Sequence, residues 1–94
     1  MIVEVLYFAE FCDITGKEKE KFELSNNQLE NLIELLLDKY KLPLRNLLWD
    51  ENTQNISNII SIIINNKPLL QKNPLLAQVN DGDVIAFLMP VSGG

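Results

Sequence analysis

Three groups of residues in this chain have side chains or ends that could do chemistry. Cys12 lies in Glu10-Phe11-Cys12-Asp13 and is the single thiol among 94 residues. A thiolate is a strong nucleophile, but the carboxylates on either side disfavour its charge and raise a thiol pKa. The sequence contains no histidine. A Cys-His or Ser-His pair therefore cannot form, and zinc has neither histidine nor several thiolates to bind. Cys12 reads as an ordinary loop cysteine. Asp81 and Asp83 flank Gly82. Paired carboxylates can hold a cation or move a proton. Two alone make a poor calcium site, and Asp-Gly-Asp ahead of a strand reads as turn chemistry. The third group is the end of the sequence, Leu88-Met-Pro-Val-Ser-Gly-Gly94. Gly94 offers a carboxylate without steric crowding, and the last four residues, extended, reach roughly 13 Å. Pro90 stiffens the exit from the preceding strand. On these grounds two readings stand: a frayed terminus, or a reactive one that threads a narrow channel in another protein.

Composition narrows the partners. The formal net charge is -5, so the surface repels phosphate backbones and no nucleic-acid partner is expected. A partner with a basic face suits the overall charge better. One cysteine rules out an internal disulfide. The opening Met-Ile-Val-Glu-Val-Leu-Tyr-Phe lacks the basic start of a secretory signal, and no stretch approaches the roughly 20 apolar residues of a membrane span. The expectation is a cytoplasmic protein with no membrane partner. Its length suits a single domain over residues 1–89 with a flexible tail over residues 90–94.

The elements that must position these groups follow from periodicity. Residues 1–8 alternate, with Val3, Val5 and Tyr7 on one face and Ile2, Glu4, Leu6 and Phe8 on the other, which predicts a strand. Residues 9–20, with Gly16 and the charge run Lys17–Lys21, read as a loop and solvated hairpin. Alternation resumes over residues 20–24. Leu29, Leu32, Ile33, Leu36, Leu37 and Tyr40 form one stripe at helical spacing. Ser25, Asn26 or Asn27 can cap that helix, Asn27 and Glu30 have capping-box spacing, and Pro43 stops continuation past residue 42. Residues 44–58 read as a long Asn-rich connection with one helical turn around Leu44–Trp49. The isoleucine run ending in Asn65-Asn66 predicts a buried strand at the centre of a mixed sheet. A short edge strand is expected near Leu69–Leu70, a tight turn at residues 80–83, and a last strand over residues 84–89. One helix packed across one face of a small mixed sheet is an α+β two-layer domain, and this order fits a ubiquitin-like β-grasp.

With Val3, Val5, Tyr7, Ile85 and Phe87 facing the helix, Leu6, Phe8, Ala86 and Leu88 point to the other side. Water on that side favours polar residues. Either the strand faces are reversed, or these four form a partner surface.

Read together, the segments resemble a known family. "VLYFAEFCDITG" is similar to the opening strand and loop of the small, sulfur-carrying subunit of molybdopterin synthase. "IIINN" is similar to a later strand of that family, and "DGDVIAFLMPVSGG" to its closing strand and tail. The chain departs from the pattern in a few places. Cys12 and Asp13 stand where the family has Arg and Glu, and Met89 replaces a proline. The segment from Lys67 to Asn80 and the connection before Ile59 are both longer. The resemblance implies that the Gly94 carboxylate is adenylated by an E1-like partner using ATP and converted to a thiocarboxylate. The tail then enters the large synthase subunit, where its sulfur passes to cyclic pyranopterin monophosphate. Two transfers build the dithiolene of molybdopterin, in an assembly of two small subunits flanking a dimer of large ones. The small subunit is then a protein cosubstrate, binding no cofactor or metal of its own. Carried over, Phe8 and Leu88 lie on the surface shared by both partners, with Leu6 and Ala86 close by. Pro90, Val91, Ser92 and Gly93 are tail contacts, and Gly94 carries the reacting carbon. A ubiquitin-like modifier that joins lysines through the same glycine is an alternative. The thiamine-pathway sulfur carrier is another, although it is shorter and lacks the Phe-Ala opening.

Overall fold

The computed structural model describes residues 1–90. At its centre two strands from opposite ends of the sequence run side by side: β1 (Ile2–Tyr7) pairs in parallel with β7 (Val84–Leu88). β2 (Lys19–Glu23) pairs antiparallel on the free side of β1. On the free side of β7 lies β5 (Ser61–Ile64), followed by the short edge strand β6 (Lys67–Pro68). The sheet order is β2-β1-β7-β5-β6. One face of it is covered by α2 (Leu29–Leu48) and the short α1 (Glu10–Thr15). A two-stranded ribbon, β3 (Trp49–Asp50) with β4 (Asn55–Ile56), and a single 3-10 turn (Pro74–Leu76) close the far end. This is the ubiquitin-like β-grasp that the element order predicts.

The core is where alternation meets the helical stripe. Val3, Val5, Tyr7, Ile85 and Phe87 point inward and are buried against Leu29, Leu32, Ile33 and Leu36 of α2. At roughly 1.5–3 kcal/mol for each large aliphatic or aromatic side chain, this burial dominates the stability of the fold.

Five local expectations are corrected. Residues 10–15 form a helix, not a loop, because Phe11 is only 1% exposed and packs 6.1 Å from the Phe87 ring. Gly16 closes that helix at φ 72°, donating its N–H to the Cys12 carbonyl. The N-terminus of α2 carries no side-chain cap or capping box. The Asn31 amide oxygen instead accepts the Ser25 N–H at 2.7 Å, and the chain at residues 77–79 bonds alongside, with Leu29 N–H donating to Ala77 and Val79 N–H to Asn27. α2 breaks at Lys41 (φ 59°, ψ -142°), two residues before Pro43, and resumes to Leu48, so the helical turn expected near residue 44 is its second segment. The connection after it holds the β3–β4 ribbon. β5 is not central. It lies one strand from the edge, and only Ile62 of its isoleucines is fully buried. The edge strand falls two residues earlier than expected, leaving Leu70 88% exposed.

The charge run also differs from expectation. Its fourth residue, Glu20, faces inward with a side chain 8% exposed. Its carboxylate accepts from Tyr7 Oη (2.8 Å), Tyr40 Oη (2.6 Å), Lys17 Nζ (3.0 Å) and Lys39 Nζ. It thereby ties β2 to β1 and to α2. Burial alone would raise the Glu20 carboxyl, but these donors outweigh burial and hold it down to about 2. Burial, and then the facing carboxylate, push both tyrosines above their ordinary range.

Two outcomes follow for stability. Phe11→Ala lowers the unfolding free energy by roughly 3–5 kcal/mol, the cost of emptying a large core site. Cys12→Ala, one residue on and half-buried, costs far less; urea unfolding followed by Trp49 fluorescence separates the two. Glu20→Gln costs roughly 1–3 kcal/mol at pH 7, because it removes a charge-assisted acceptor. A carboxyl depressed in the folded state contributes its full stabilisation above its unfolded value and loses it as pH falls to its folded one, so the advantage of Glu20 over Gln shrinks below about pH 4.5 and vanishes near pH 2. The same unfolding series repeated from pH 7 to pH 2 reads that convergence.

Candidate functional site

Leu6, Phe8, Ala86 and Leu88 meet in one groove on the sheet face opposite α2. The register explains why. β1 and β7 run parallel with Leu6 beside Ala86, so every second residue of both strands rises on the same face. Ile63 of β5 stands on the other side of Ala86 and, with Val84 and Asn66, completes a lining around about 370 Å³. Ala86 is 6% exposed although it faces outward, because Leu6 and Ile63 wall it in. Phe8, just past the end of β1, is 48% exposed at the rim. The reading with reversed strand faces is excluded, since Val3, Val5 and Tyr7 are the buried set.

Ile63 and Val84 went unrecognised in the sequence. In a run of isoleucines the inward and outward positions carry the same residue type, so alternation leaves no trace. Ile63 is placed outward only by its pairing with Ala86, whereas Val84 follows by counting back two from Ala86.

β7 both lines the groove and leads directly into the tail. Met89 is half-buried against the core and Pro90 is exposed. Val91, Ser92, Gly93 and Gly94 lie outside the described residues, so the structure says nothing of the carboxyl group of Gly94.

The other candidates resolve into structure. Cys12 sits in α1, half-buried against the core. Asp81 accepts the Ile2 N–H at 2.7 Å. Asp83 is 8% exposed and accepts from Asn65 Nδ2 and from the Asn80 N–H, both at 2.8 Å. Asn65 returns the contact, its amide oxygen accepting the Val84 N–H at 2.9 Å. Gly82, at φ 86°, lets the chain turn so that its N–H reaches the Ile2 carbonyl. The Asn-Asn and Asp-Gly-Asp motifs therefore form one clamp that sets β7 between β1 and β5. They hold the groove and the tail exit in register and present no pair of free carboxylates.

Comparison with known proteins agrees with this geometry. The model of the ThiS family matches residues 5–94. No curated protein matches by sequence. Among solved structures, small archaeal modifier protein 1 of Haloferax volcanii is similar over 100% of both chains, with 18% identity and a TM-score of 0.84. The same-named protein of Methanosarcina acetivorans is 26% identical over 99% of this chain and 96% of its own, with a TM-score of 0.77. A putative molybdopterin converting factor subunit 1 from Pyrococcus furiosus is 24% identical, covering 96% of this chain and 98% of its own, with a TM-score of 0.69.

The clamp makes a measurable distinction between the two aspartates. Asp83→Ala strands the Asn65 amide and the Asn80 N–H and costs roughly 1–3 kcal/mol. Asp81→Ala, at an exposed bond, costs under about 1 kcal/mol. Added calcium stabilises neither the wild-type chain nor the variants in thermal unfolding if the role of both residues is structural.

Proposed function

The chain belongs to the ThiS family, and from that premise we propose that it is a sulfur carrier of molybdenum cofactor biosynthesis whose chemistry lies on Gly94. One observation carries the reading: the strand that lines the apolar groove is the strand that leads into the Gly-Gly end. A partner seated on Leu6, Phe8, Ala86 and Leu88 therefore holds the start of the tail at a set point. Beyond Pro90, four residues, if extended, span roughly 13 Å, enough to carry Gly94 into a recessed active site.

The proposed sequence of events needs little of this chain's side chains. An E1-like enzyme uses ATP to convert the Gly94 carboxylate to an acyl-adenylate, releasing pyrophosphate. A sulfur donor then displaces AMP and leaves a thiocarboxylate. In the large subunit of molybdopterin synthase that sulfur attacks cyclic pyranopterin monophosphate. A thiocarboxylate is a sulfur nucleophile that requires neither a thiol side chain nor a histidine, in keeping with a chain that has one half-buried cysteine and no histidine. Glycine at both final positions leaves the reacting carbon without steric cover.

A second reading is favoured by the likeness to small archaeal modifier proteins. In it the same adenylate is attacked by a lysine amine of another protein, giving an isopeptide bond at Gly94. Both readings share the first step and differ in the nucleophile.

The test is intact mass spectrometry of the chain after incubation with an E1-like enzyme, ATP and a sulfur source. The expected result is a gain equal to one sulfur replacing one oxygen, followed by sulfur transfer when large subunit and cyclic pyranopterin monophosphate are added. An unchanged mass with an enzyme shown to be active rejects sulfur carriage, and lysine conjugates recovered from cell extract select the modifier reading. Deleting Gly93 and Gly94 is expected to abolish the mass change while shifting stability by no more than about 0.5 kcal/mol.

A further inference from the structure

The helix side of the domain carries a second groove, away from the tail. Two adjoining cavities of about 470 and about 220 Å³ run along the outside of α2 and share Glu34, Leu37 and Arg45 in their walls. Ile33, Leu75 and Trp49 line the inner end, and Leu42, 65% exposed, lines the outer end. The break at Lys41 accounts for Leu42. The second segment of α2 turns Leu44 and Leu48 into the core and leaves Leu42 on the surface beside half-buried Leu37.

α2 also supplies the charge. Glu30, Glu34 and Asp38 all line the groove at four-residue spacing, so they stand in a row along one wall, where like charges repel. The lining holds two cations, and both are engaged: Lys41 pairs with Asp38 at 3.4 Å, and Arg45 pairs with Glu51 while lying 6.0 Å over the Trp49 ring. Among the described residues Glu30 and Glu34 are in no ion pair, and no other lysine lines either cavity. Trp49 Nε1 is buried without an acceptor among the described residues, and orphan donors of this kind are uncommon.

We propose that this groove docks a basic amphipathic helix of a partner protein. An aliphatic side chain of that helix enters between Leu37 and Leu42, and two cations four residues apart face Glu30 and Glu34. Four residues of helix rise about 6 Å, so cations at that spacing match the carboxylate interval on α2. A helix suits the site better than an extended strand, because α2 presents side chains and no open backbone edge to pair with. The sheet separates this groove from Leu6, Ala86 and Leu88, so a protein held here leaves the tail exit uncovered. This docking is independent of the chemistry at Gly94.

Trp49 is the single tryptophan of the chain and lines the groove, so its fluorescence reports occupancy directly. The probe is a tryptophan-free synthetic helical peptide of roughly 18 residues, with leucines on one face and lysines four apart beside them; its twin carries glutamate for lysine. Titrations are run in roughly 0.15 M salt, where charges more than about 8 Å apart are screened. The lysine peptide is expected to change Trp49 emission saturably and the twin to leave it unchanged. Amide shifts in NMR fall on α2, β3 and the 3-10 turn and spare Leu6, Ala86 and Leu88. Glu30→Lys combined with Glu34→Lys weakens binding roughly tenfold, and Glu30→Gln with Glu34→Gln does so by less. Leu42→Ser weakens it at low and high salt alike, as loss of an apolar contact does. Glu18→Lys with Glu23→Lys changes net charge equally, lines neither cavity and keeps the wild-type affinity. Urea unfolding confirms that each variant is folded. The docking is wrong if Trp49 does not respond, if the Glu18 and Glu23 pair reproduces the Glu30 and Glu34 effect, or if the shifts centre on Leu6 and Leu88. It is also wrong if the wild-type chain dimerises in sedimentation and Glu30→Lys with Glu34→Lys abolishes the dimer, since the occupant is then a second copy.

Discussion

The parallel pairing of β1 with β7 is the constraint on which the rest of the structure depends. It brings the first and last strands of the sequence into one hydrogen-bonded ladder, with Glu4 beside Val84 and Tyr7 beside Phe87. Parallel strands need a crossover of a dozen or more residues, and most of the chain serves as that crossover. α2 fills the inner side of the ladder. The outer side remains open, and beyond Glu4 it is apolar because Leu6, Phe8, Val84, Ala86 and Leu88 stand there. The opening and closing segments that resemble one family are thus neighbours in space. Each supplies half of one groove, which neither could form alone.

Two polar devices hold this arrangement, and both use charge inside the fold. Glu20 gathers two hydroxyls and two ammonium groups where β2, β1 and α2 meet. A buried charge is tolerated when hydrogen bonds replace its hydration, and four donors do so here. At the other end of the sheet, Asp83, Asn65 and Gly82 clamp the turn into β7 against β1 and the β5–β6 hairpin. Read as sequence, the carboxylates of both devices look like surface or catalytic groups. Beside the local donors Lys17 and Asn80, the partners that join separate elements lie 13 to 20 positions away, beyond any local pattern.

The strongest periodic signals were readable without coordinates. The inward set Val3, Val5 and Tyr7, the stripe Leu29–Leu36 and the final strand fall where spacing places them. The signals that failed were of two physical kinds. Short elements such as α1 and the β3–β4 ribbon carry too few residues for periodicity to show, and α1 is held by one aromatic, Phe11, that finds its pocket under β7. A uniformly apolar stretch loses its phase, which hid Ile63 in an isoleucine run, and Pro43 made the second segment of α2 read as a separate helical turn.

The sequence by itself determined which chemistry is closed to this protein. With no histidine, no Ser-His or Cys-His pair can be assembled, whatever the fold. It also determined the element types and the outward parity of Leu6, Phe8, Ala86 and Leu88, because alternation is a local property of a strand. Only the tertiary structure decided that these four residues share one groove and that Ile63 and Val84 belong to it. Strand order and register are set by long-range pairing, and pairing depends on the turn clamp and the helix packing rather than on any single segment.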